Sequence, residues 1–584
     1  MAVPLNRVPS PETLRSEDHL VFSAVTKYAD RFRGLHITSF ASSGTGGIPP
    51  PHFNDQQVNS ILVASIGGYW GCGRARRGEA AKSTTTGALV LTAETGDSTE
   101  PQTRPLAGLS LRQSQIALLL VGLMFLLVQL VIVRHPLGLS QDESNYLAKV
   151  DPRVPELYWS QPRAWGMPVL AAPVAVFSPS LTIYRLYFGF LSSAGLVAAF
   201  WPWVRVLRPT VAPAAALFFS TIWFTATFGS LVMPNLYVGL GAVAVTGLFL
   251  RAVDDPVWWR LALTAAAAGF VALVRPTDSV LVIAPLFAIA LVVARLRRLR
   301  VLAAVAIGEL MGWLPWVIEG YLRFGGPVER LRAAETSGTH ELNLRFSNLL
   351  IFPRLLDGTP TYCCSGGTPA AAGPVPLALT TWLVAVLLIA ALGVAWSVSK
   401  RRLPEMMLVC LPAGLLAAFY LLLPGFTTLR FLLPAFALLS LPVAFALVQA
   451  LTRWRQTAAV LIVAALVGHV ASMLFLAERQ MDASWRRRTA QIQAAAALQP
   501  LVHQRPCLVI ANPPSPLAFY LGCAAQVSGN SKRQPRRVTQ ARAEGVFVLA
   551  LLSAPPPPGS YMATWQQLPV PELARRFQVY IPPA

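Results

Sequence analysis

From residue 115 onward the chain alternates long apolar runs with short polar connections, beginning with "QIALLLVGLMFLLVQLVIV". Runs of roughly 17 to 24 residues are the length that a ~30 Å hydrocarbon layer asks of a helix. Eleven are found, near 115 to 133, 182 to 204, 211 to 229, 236 to 252, 258 to 274, 277 to 294, 300 to 318, 374 to 397, 405 to 423, 430 to 450 and 456 to 475. The thirteen-residue run "WGMPVLAAPVAVF" is too short to cross and predicts a helix lying on the interface. The expected fold is therefore a polytopic α-helical membrane bundle of about eleven transmembrane helices.

Charge supplies the orientation. Threading the runs from a cytoplasmic N-terminus puts "VRVLRP", "RAVDDPVWWR", "ARLRRLR", "SVSKRRLPE" and "LTRWRQ" all inside, each with at least two basic residues. The outer connections near 230 to 235 and 424 to 429 carry none. Residues 134 to 181, residues 319 to 373 and the whole tail from 476 then face outward. The first 110 residues hold no apolar core behind a basic start, so the first run is expected to act as an uncleaved signal-anchor.

Composition agrees with this picture. Hydrophobic residues make up 54% of 584 positions and charged residues 13%, too apolar for a soluble domain. Lys and Arg exceed Asp and Glu by 48 to 27, but the surplus collects beside apolar runs, and no basic stripe with interleaved aromatics suggests a nucleic-acid partner. Residues 1 to 112 are rich in Gly, Ser, Thr and Pro, which fits either a disordered cytoplasmic tail or sequence translated upstream of the native start. Residues 113 to 475 form the transmembrane domain. Residues 476 to 584 read as helix, strand ("CLVIAN"), helix ("SPLAFYLGC") and later strand ("GVFVLALL"), a small extracytoplasmic α/β domain. Cys507 and Cys523 lie sixteen apart in that domain and form either a disulfide or two buried thiols. Vicinal Cys363 and Cys364 have no His or Cys spacing nearby that makes a zinc site.

Candidate chemistry gathers on the outer face. "QDESNY" places Asp142 and Glu143 just past the first span, where a carboxylate pair could take a proton from a hydroxyl or grip a divalent cation. The plainer reading of adjacent acids is a solvated loop. Arg275 in "VALVRPTDS", Arg430 in "FTTLRFLLPAF" and Arg163 in "YWSQPRAWG" fall at the same membrane level. Three guanidiniums there suit a lipid phosphate, against the alternative of snorkelling anchors. Asp278 follows Arg275 closely, and Glu319 ends the seventh span on the same side. Glu309 sits mid-span, where a carboxyl must be protonated, paired or lining a cavity. His469 in "LVGHVAS" is expected as a packed neutral imidazole.

The stretches "QDESNYLAKV", "SQPRAWGMPVLAAP", "VRPTDSVLVIAPL" and "LRFLLPAFALLSLP" resemble, in order and spacing, motifs of the integral-membrane GT-C glycosyltransferases. The nearest groups are the protein O-mannosyltransferases and the lipid A aminoarabinose transferases. The resemblance covers residues 115 to 475. It implies a polyprenyl-phosphate-sugar donor and inverting transfer at the outer face of the cytoplasmic membrane; the Ala, Arg and Pro bias of the chain, as in a GC-rich bacterial gene, points to a decaprenyl or undecaprenyl carrier. The acceptor would be a glycan, glycolipid or protein hydroxyl. By the same resemblance the acidic pair of the first outer loop, here Asp142 and Glu143, is the catalytic motif; we assign Asp142 as the base, Glu143 as its partner orienting the acceptor or a cation such as Mg2+ or Mn2+, and Arg275 and Arg163, with Arg430 third, as the phosphate cradle. Relatives often carry a further acid near the outer start of the fourth span, where this chain has Asn235. Two other classes compete: a transporter or flippase of lipid-linked saccharides, and a non-catalytic envelope assembly protein. The first lacks the paired half-sequences with broken helices that mark alternating access.

Overall fold

The computed structural model describes residues 109–133, 137–335, 343–358, 375–425, 427–502, 505–528, 533–573 and 576–583. The N-terminal tail up to residue 108, Cys363 and Cys364 lie outside them.

Every one of the eleven apolar runs lies on helix. In chain order the helices are α1 (Leu111–Val133), α2 (Gln141–Leu147), α3 (Gly166–Ala175), α4 (Leu181–Phe200), α5 (Trp203–Val206), α6 (Val211–Thr221), α7 (Trp223–Phe228), α8 (Pro234–Asp254) and α9 (Trp258–Val274). They continue with α10 (Pro276–Val292), α11 (Leu299–Phe324), α12 (Pro327–Glu335), α13 (Ser347–Leu355), α14 (Leu377–Ser399), α15 (Leu403–Leu422), α16 (Leu433–Arg453) and α17 (Arg455–Val502). Among the described residues eight helices are long and apolar enough to cross a membrane, and α6, α9 and α10 are shorter apolar helices. The chain is a polytopic α-helical membrane protein.

Two elements differ from the hydropathy reading. The run 211 to 229 is broken at Ile222, whose extended backbone (φ −64°, ψ 128°) separates α6 from α7. There the indole of Trp223 donates to the Leu356 carbonyl, 3.0 Å away. The last run does not stop at 475: α17 continues as one helix of 48 residues, about 70 Å long at 1.5 Å per residue. Beyond residue 475 apolarity fades, but no Gly or Pro follows in the helix until Pro500.

Helices α8 and α16 form the buried centre, whereas α1, α14 and α17 expose most of their surface. Small residues allow the closest crossings. A side chain at Gly308 or Gly312 of α11 would strike the backbone of Ala265 or Gly269 on α9, so these two helices touch main chain to main chain. His469 is packed and satisfied. The Trp382 indole, which can only donate, bonds its Nδ1 at 3.1 Å, leaving Nε2 to pair with Thr221 Oγ1 at 3.1 Å.

After α17 comes a five-stranded sheet in the order β2-β1-β3-β5-β4, with strands β1 (Cys507–Ala511), β2 (Ala524–Val527), β3 (Phe547–Leu552), β4 (Gln566–Leu568) and β5 (Gln578–Ile581). The first three are mutually parallel and β4 and β5 run antiparallel. Strand β1, flanked by β2 and β3, is buried throughout, which is why its sequence is continuously apolar rather than alternating. Helix α18 (Ser515–Leu521) links β1 to β2, and basic α19 (Arg533–Ala543) links β2 to β3. A disulfide joins Cys507 to Cys523. One core cluster takes in Leu498 of α17, Leu517 of α18, Leu147 of α2 and Met167 of α3. The segment carrying the two acids is thus packed between the helical bundle and the α/β unit.

Candidate functional site

Local sequence chemistry starts α2. Ser140 is its N-cap: the Glu143 N–H donates to Ser140 Oγ (3.4 Å) and the Ser140 N–H donates to Glu143 Oε2 (2.9 Å), a reciprocal capping box. Acids in the first turn also suit the positive end of the helix dipole. Once the segment is helical, neighbouring residues point about 100° apart. The two acids therefore diverge.

Asp142 faces the arginines. Arg163 Nη2 donates to its Oδ1 at 2.7 Å and Arg430 Nη2 meets its Oδ2 at 3.1 Å, with 28% of the carboxylate side chain still exposed. Burial by itself would raise this carboxyl, but Arg430 and Arg163 outweigh it and hold the pKa down to about 2. The Arg163 guanidinium also donates to the Tyr158 carbonyl (3.0 Å) and lies 5.7 Å from the Tyr146 ring centre.

Arg275 arrives from a different direction. It ends α9 and begins α10 with extended backbone (φ −157°, ψ 92°), as the residue before Pro276 must. Its guanidinium lies 5.0 Å from the Phe431 ring and 5.2 Å from the Tyr420 ring, and its Nε is 3.4 Å from Asp278 Oδ1. Gly166, at the start of α3, lets the Arg163 segment close on this corner, because any side chain there would strike the backbone of Val274. Tyr146 belongs to the same group. Burial pushes its phenol up, and the charges of Arg163, Asp142, Arg275 and Arg430 all act on it. Nothing in the linear sequence marks it.

Glu143 turns the other way and is fully buried. Its carboxylate pairs with Arg185, accepts from Arg488 Nη1 at 2.9 Å and takes the Val232 N–H at 3.0 Å. Burial would raise it, but Arg185 and Arg488 bring it to about 2. Arg185 further donates to the carbonyls of Leu137 (3.0 Å), Gly138 (3.1 Å) and Ser230 (3.1 Å). Arg488 reaches the Gly138 carbonyl at 2.8 Å, and the Leu139 N–H donates to the Tyr520 hydroxyl oxygen at 2.7 Å. The expected side-by-side pair is thus split between a cationic corner and an interior anchor. Arg185 could have been flagged: it is a charge at the fifth residue of the apolar helix α4, which demands a partner.

The remaining candidates divide. Asp278 is buried, accepts from the Tyr420 hydroxyl on Oδ1 and has no partner on Oδ2. Asn235 opens α8, buried, with its Nδ2 unpartnered. Glu319 does not reach Asp142. It accepts from Trp159 Nε1 (3.1 Å) and Arg330 Nη2 (3.0 Å), and fully buried Arg330 in turn donates to the carbonyls of Arg163 (2.9 Å), Gln161 (2.8 Å) and Trp316 (2.7 Å). Glu319 thereby steadies Arg163 at one remove. Glu309 stands apart, accepting from Trp313 Nε1 (3.0 Å) and from Ser279 on the adjacent helix.

The acids do not suit a divalent cation. Both Asp142 oxygens face guanidiniums, the Glu143 carboxylate is enclosed by two more, and no group of three or more His, Cys, Asp or Glu that could hold a metal ion occurs among the described residues. An apolar groove of about 340 Å3 opens between α3, α4, α8 and α9, lined by Leu170, Leu191, Gly195, Tyr237, Gly241 and Phe270. Phe270 is five residues before Arg275 on the same helix.

No protein-family model and no curated protein matches the chain by sequence. Solved structures do match. ArnT from Cupriavidus metallidurans bound to undecaprenyl phosphate superposes with a TM-score of 0.54 at 14% identity, over 79% of this chain and 97% of that one. Its apo form gives 0.51 at 14% identity over the same shares, 79% and 97%. The bundle that carries Asp142 and its arginines therefore has the GT-C membrane fold.

Proposed function

We propose that the chain is a membrane glycosyltransferase that moves a hexose or pentose from a polyprenyl-phosphate-sugar to an acceptor hydroxyl of a cell-envelope glycan, glycolipid or protein. In this reading transfer is inverting and takes place at the outer face of the cytoplasmic membrane, with the α/β unit of residues 476 to 584 extracytoplasmic. The observation that carries it is Asp142 held by Arg163 and Arg430, with Arg275 beside them. One carboxylate among three guanidiniums offers a base and a phosphate cradle in one place. The GT-C fold, and the undecaprenyl phosphate held by the ArnT structure, support an anionic prenyl lipid as the donor carrier. The apolar groove beside α9 would receive part of its chain.

The geometry suggests how binding and chemistry are coupled. While both arginines hold it, a carboxylate near pKa 2 is a feeble base. A donor phosphate competes for the same guanidiniums and so frees Asp142 to accept a proton. The acceptor oxygen then attacks the anomeric carbon from the face opposite the phosphate, and its proton passes to the Asp142 carboxylate. The bond from that carbon to the phosphate oxygen breaks, its electron pair leaving with the phosphate, whose charge Arg163, Arg275 and Arg430 share. Polyprenyl phosphate departs without needing a strong acid. Glu143, Arg185 and Arg488 keep α2 in place; Asp278 and Tyr420 aim Arg275.

The test is to supply purified protein with radiolabelled polyprenyl-phosphate sugars and membrane extract, and to read the anomeric configuration of the product. Label in acceptor with inverted configuration is expected. Movement of intact donor across vesicles without transfer would favour a carrier and sink the proposal.

A further inference from the structure

Asn145 is 2% exposed, yet neither its Oδ1 nor its Nδ2 has a hydrogen-bond partner in the protein. An amide has two donor hydrogens and two acceptor lone pairs, and burying it unpaired is costly, so native interiors almost always avoid it. Its position is informative. Asn145 is three residues after Asp142 in α2, about 4.5 Å along the axis and roughly 60° round it, on the side away from Glu143. Other unpartnered buried atoms fall in the segments that carry the cationic corner: Gln161 Oε1 two residues before Arg163, Asp278 Oδ2 beside Arg275, and Thr427 and Thr428 Oγ1 just before Arg430; Asn235 Nδ2, at the start of α8, is unpartnered as well. These atoms include both donors and acceptors. A second phosphate would need donors alone; a polyhydroxylated ring, whose hydroxyls both give and accept, fits the mixture.

We propose that the Asn145 amide binds a hydroxyl of the transferred sugar and so helps decide which donor is used. This rests on the glycosyl-transfer reading of the Asp142 site and adds to it the residue that reads the sugar. Asn145 is a specificity residue in contact with substrate, one helical turn from the base.

The experiment compares full-length wild type with Asn145→Leu, a near-isostere without polar atoms, and with Asn145→Ala in case the leucine overfills the space. Probes are farnesyl-phosphate mannose, glucose and arabinose and their single-deoxy analogues, with kcat, KM and melting temperature measured for each. Because no protein hydrogen bond is lost, Asn145→Leu should melt at or above wild type. Its KM for the preferred donor should rise roughly 10- to 100-fold, and it should no longer distinguish that donor from the analogue lacking one particular hydroxyl. Variants that melt several degrees lower while keeping wild-type sugar discrimination would show the amide to be structural and overturn the inference. Unchanged kinetics in both variants would do the same, with the transferase reading intact. A wild-type chain that neither transfers any of these sugars nor melts higher in their presence would overturn both.

Discussion

Arg488 of α17 and Glu143 of α2 are 345 residues apart in the chain and 2.9 Å apart in space. The long helix α17 therefore returns to grip the turn that carries Asp142, and Tyr520 of the α/β unit grips the same turn through the Leu139 N–H. Among its described residues the α/β unit contributes no group to the cationic corner, but it sets where Asp142 stands. Removing the Tyr520 hydroxyl leaves a backbone donor unpaired, at a cost of about 1 to 3 kcal/mol. Tyr520→Phe should lower kcat about tenfold with donor KM little changed, as steady-state kinetics would show. An equal rise in KM would place Tyr520 in substrate binding instead.

Glu143 should leave its mark on acid stability. Its folded pKa of about 2 lies below the ordinary 4.5, so the unfolded chain binds more protons between those values. Its stabilising contribution is complete above about pH 4.5 and drains away as pH falls toward 2. Thermal melts of Glu143→Gln should show a lower melting temperature at pH 7 and a flatter decline between pH 5 and 3 than wild type. Parallel declines would contradict the pairing with Arg185 and Arg488.

Arg430 and Arg163 keep Asp142 ionised far below neutrality. With its pKa near 2, Asp142 should impose no acid limb on wild-type kcat/KM above about pH 3. In Arg430→Ala one opposing charge is lost while burial still favours the neutral acid, so the limb should move upward by a unit or more. Polyprenyl-phosphate affinity should fall roughly 10- to 100-fold in the same variant, by about 1.5–3 kcal/mol for a charge-assisted bond. A pH–rate profile alongside a binding isotherm checks both.

The Cys507–Cys523 bridge closes a short loop around β1 and α18 and so helps hold Tyr520. A loop of this size is worth about 3 kcal/mol in the chain-entropy account. Dithiothreitol, or Cys507→Ser with Cys523→Ser, should lower the melting temperature and reduce kcat together. A loss of stability with kcat unchanged would uncouple the α/β unit from the site.

Much of this was legible in the residues, for identifiable reasons. Apolar runs located each crossing helix because lipid leaves the backbone no other solution. Asp142, Arg163, Arg275 and Arg430 could be grouped because the charge pattern put all four on one face. The break at Ile222 carried no Gly or Pro to announce it, and α17 outran its apolar stretch because helix propensity persisted after hydrophobicity ended. The inward turn of Glu143 was hidden because two adjacent acids separate only once the capping box at Ser140 makes them helical. Its partners Arg185 and Arg488, like Tyr146, come together through tertiary packing alone.

The most direct measurement is single-turnover sugar transfer by Asp142→Asn beside wild type, with polyprenyl-phosphate binding measured on the same preparations. A 100- to 10,000-fold slower transfer step is expected, roughly the contribution of a general base, while polyprenyl phosphate binds at least as tightly because Arg163 and Arg430 are freed. Transfer at the wild-type rate, or loss of lipid-phosphate binding with Asp142 replaced, would contradict it.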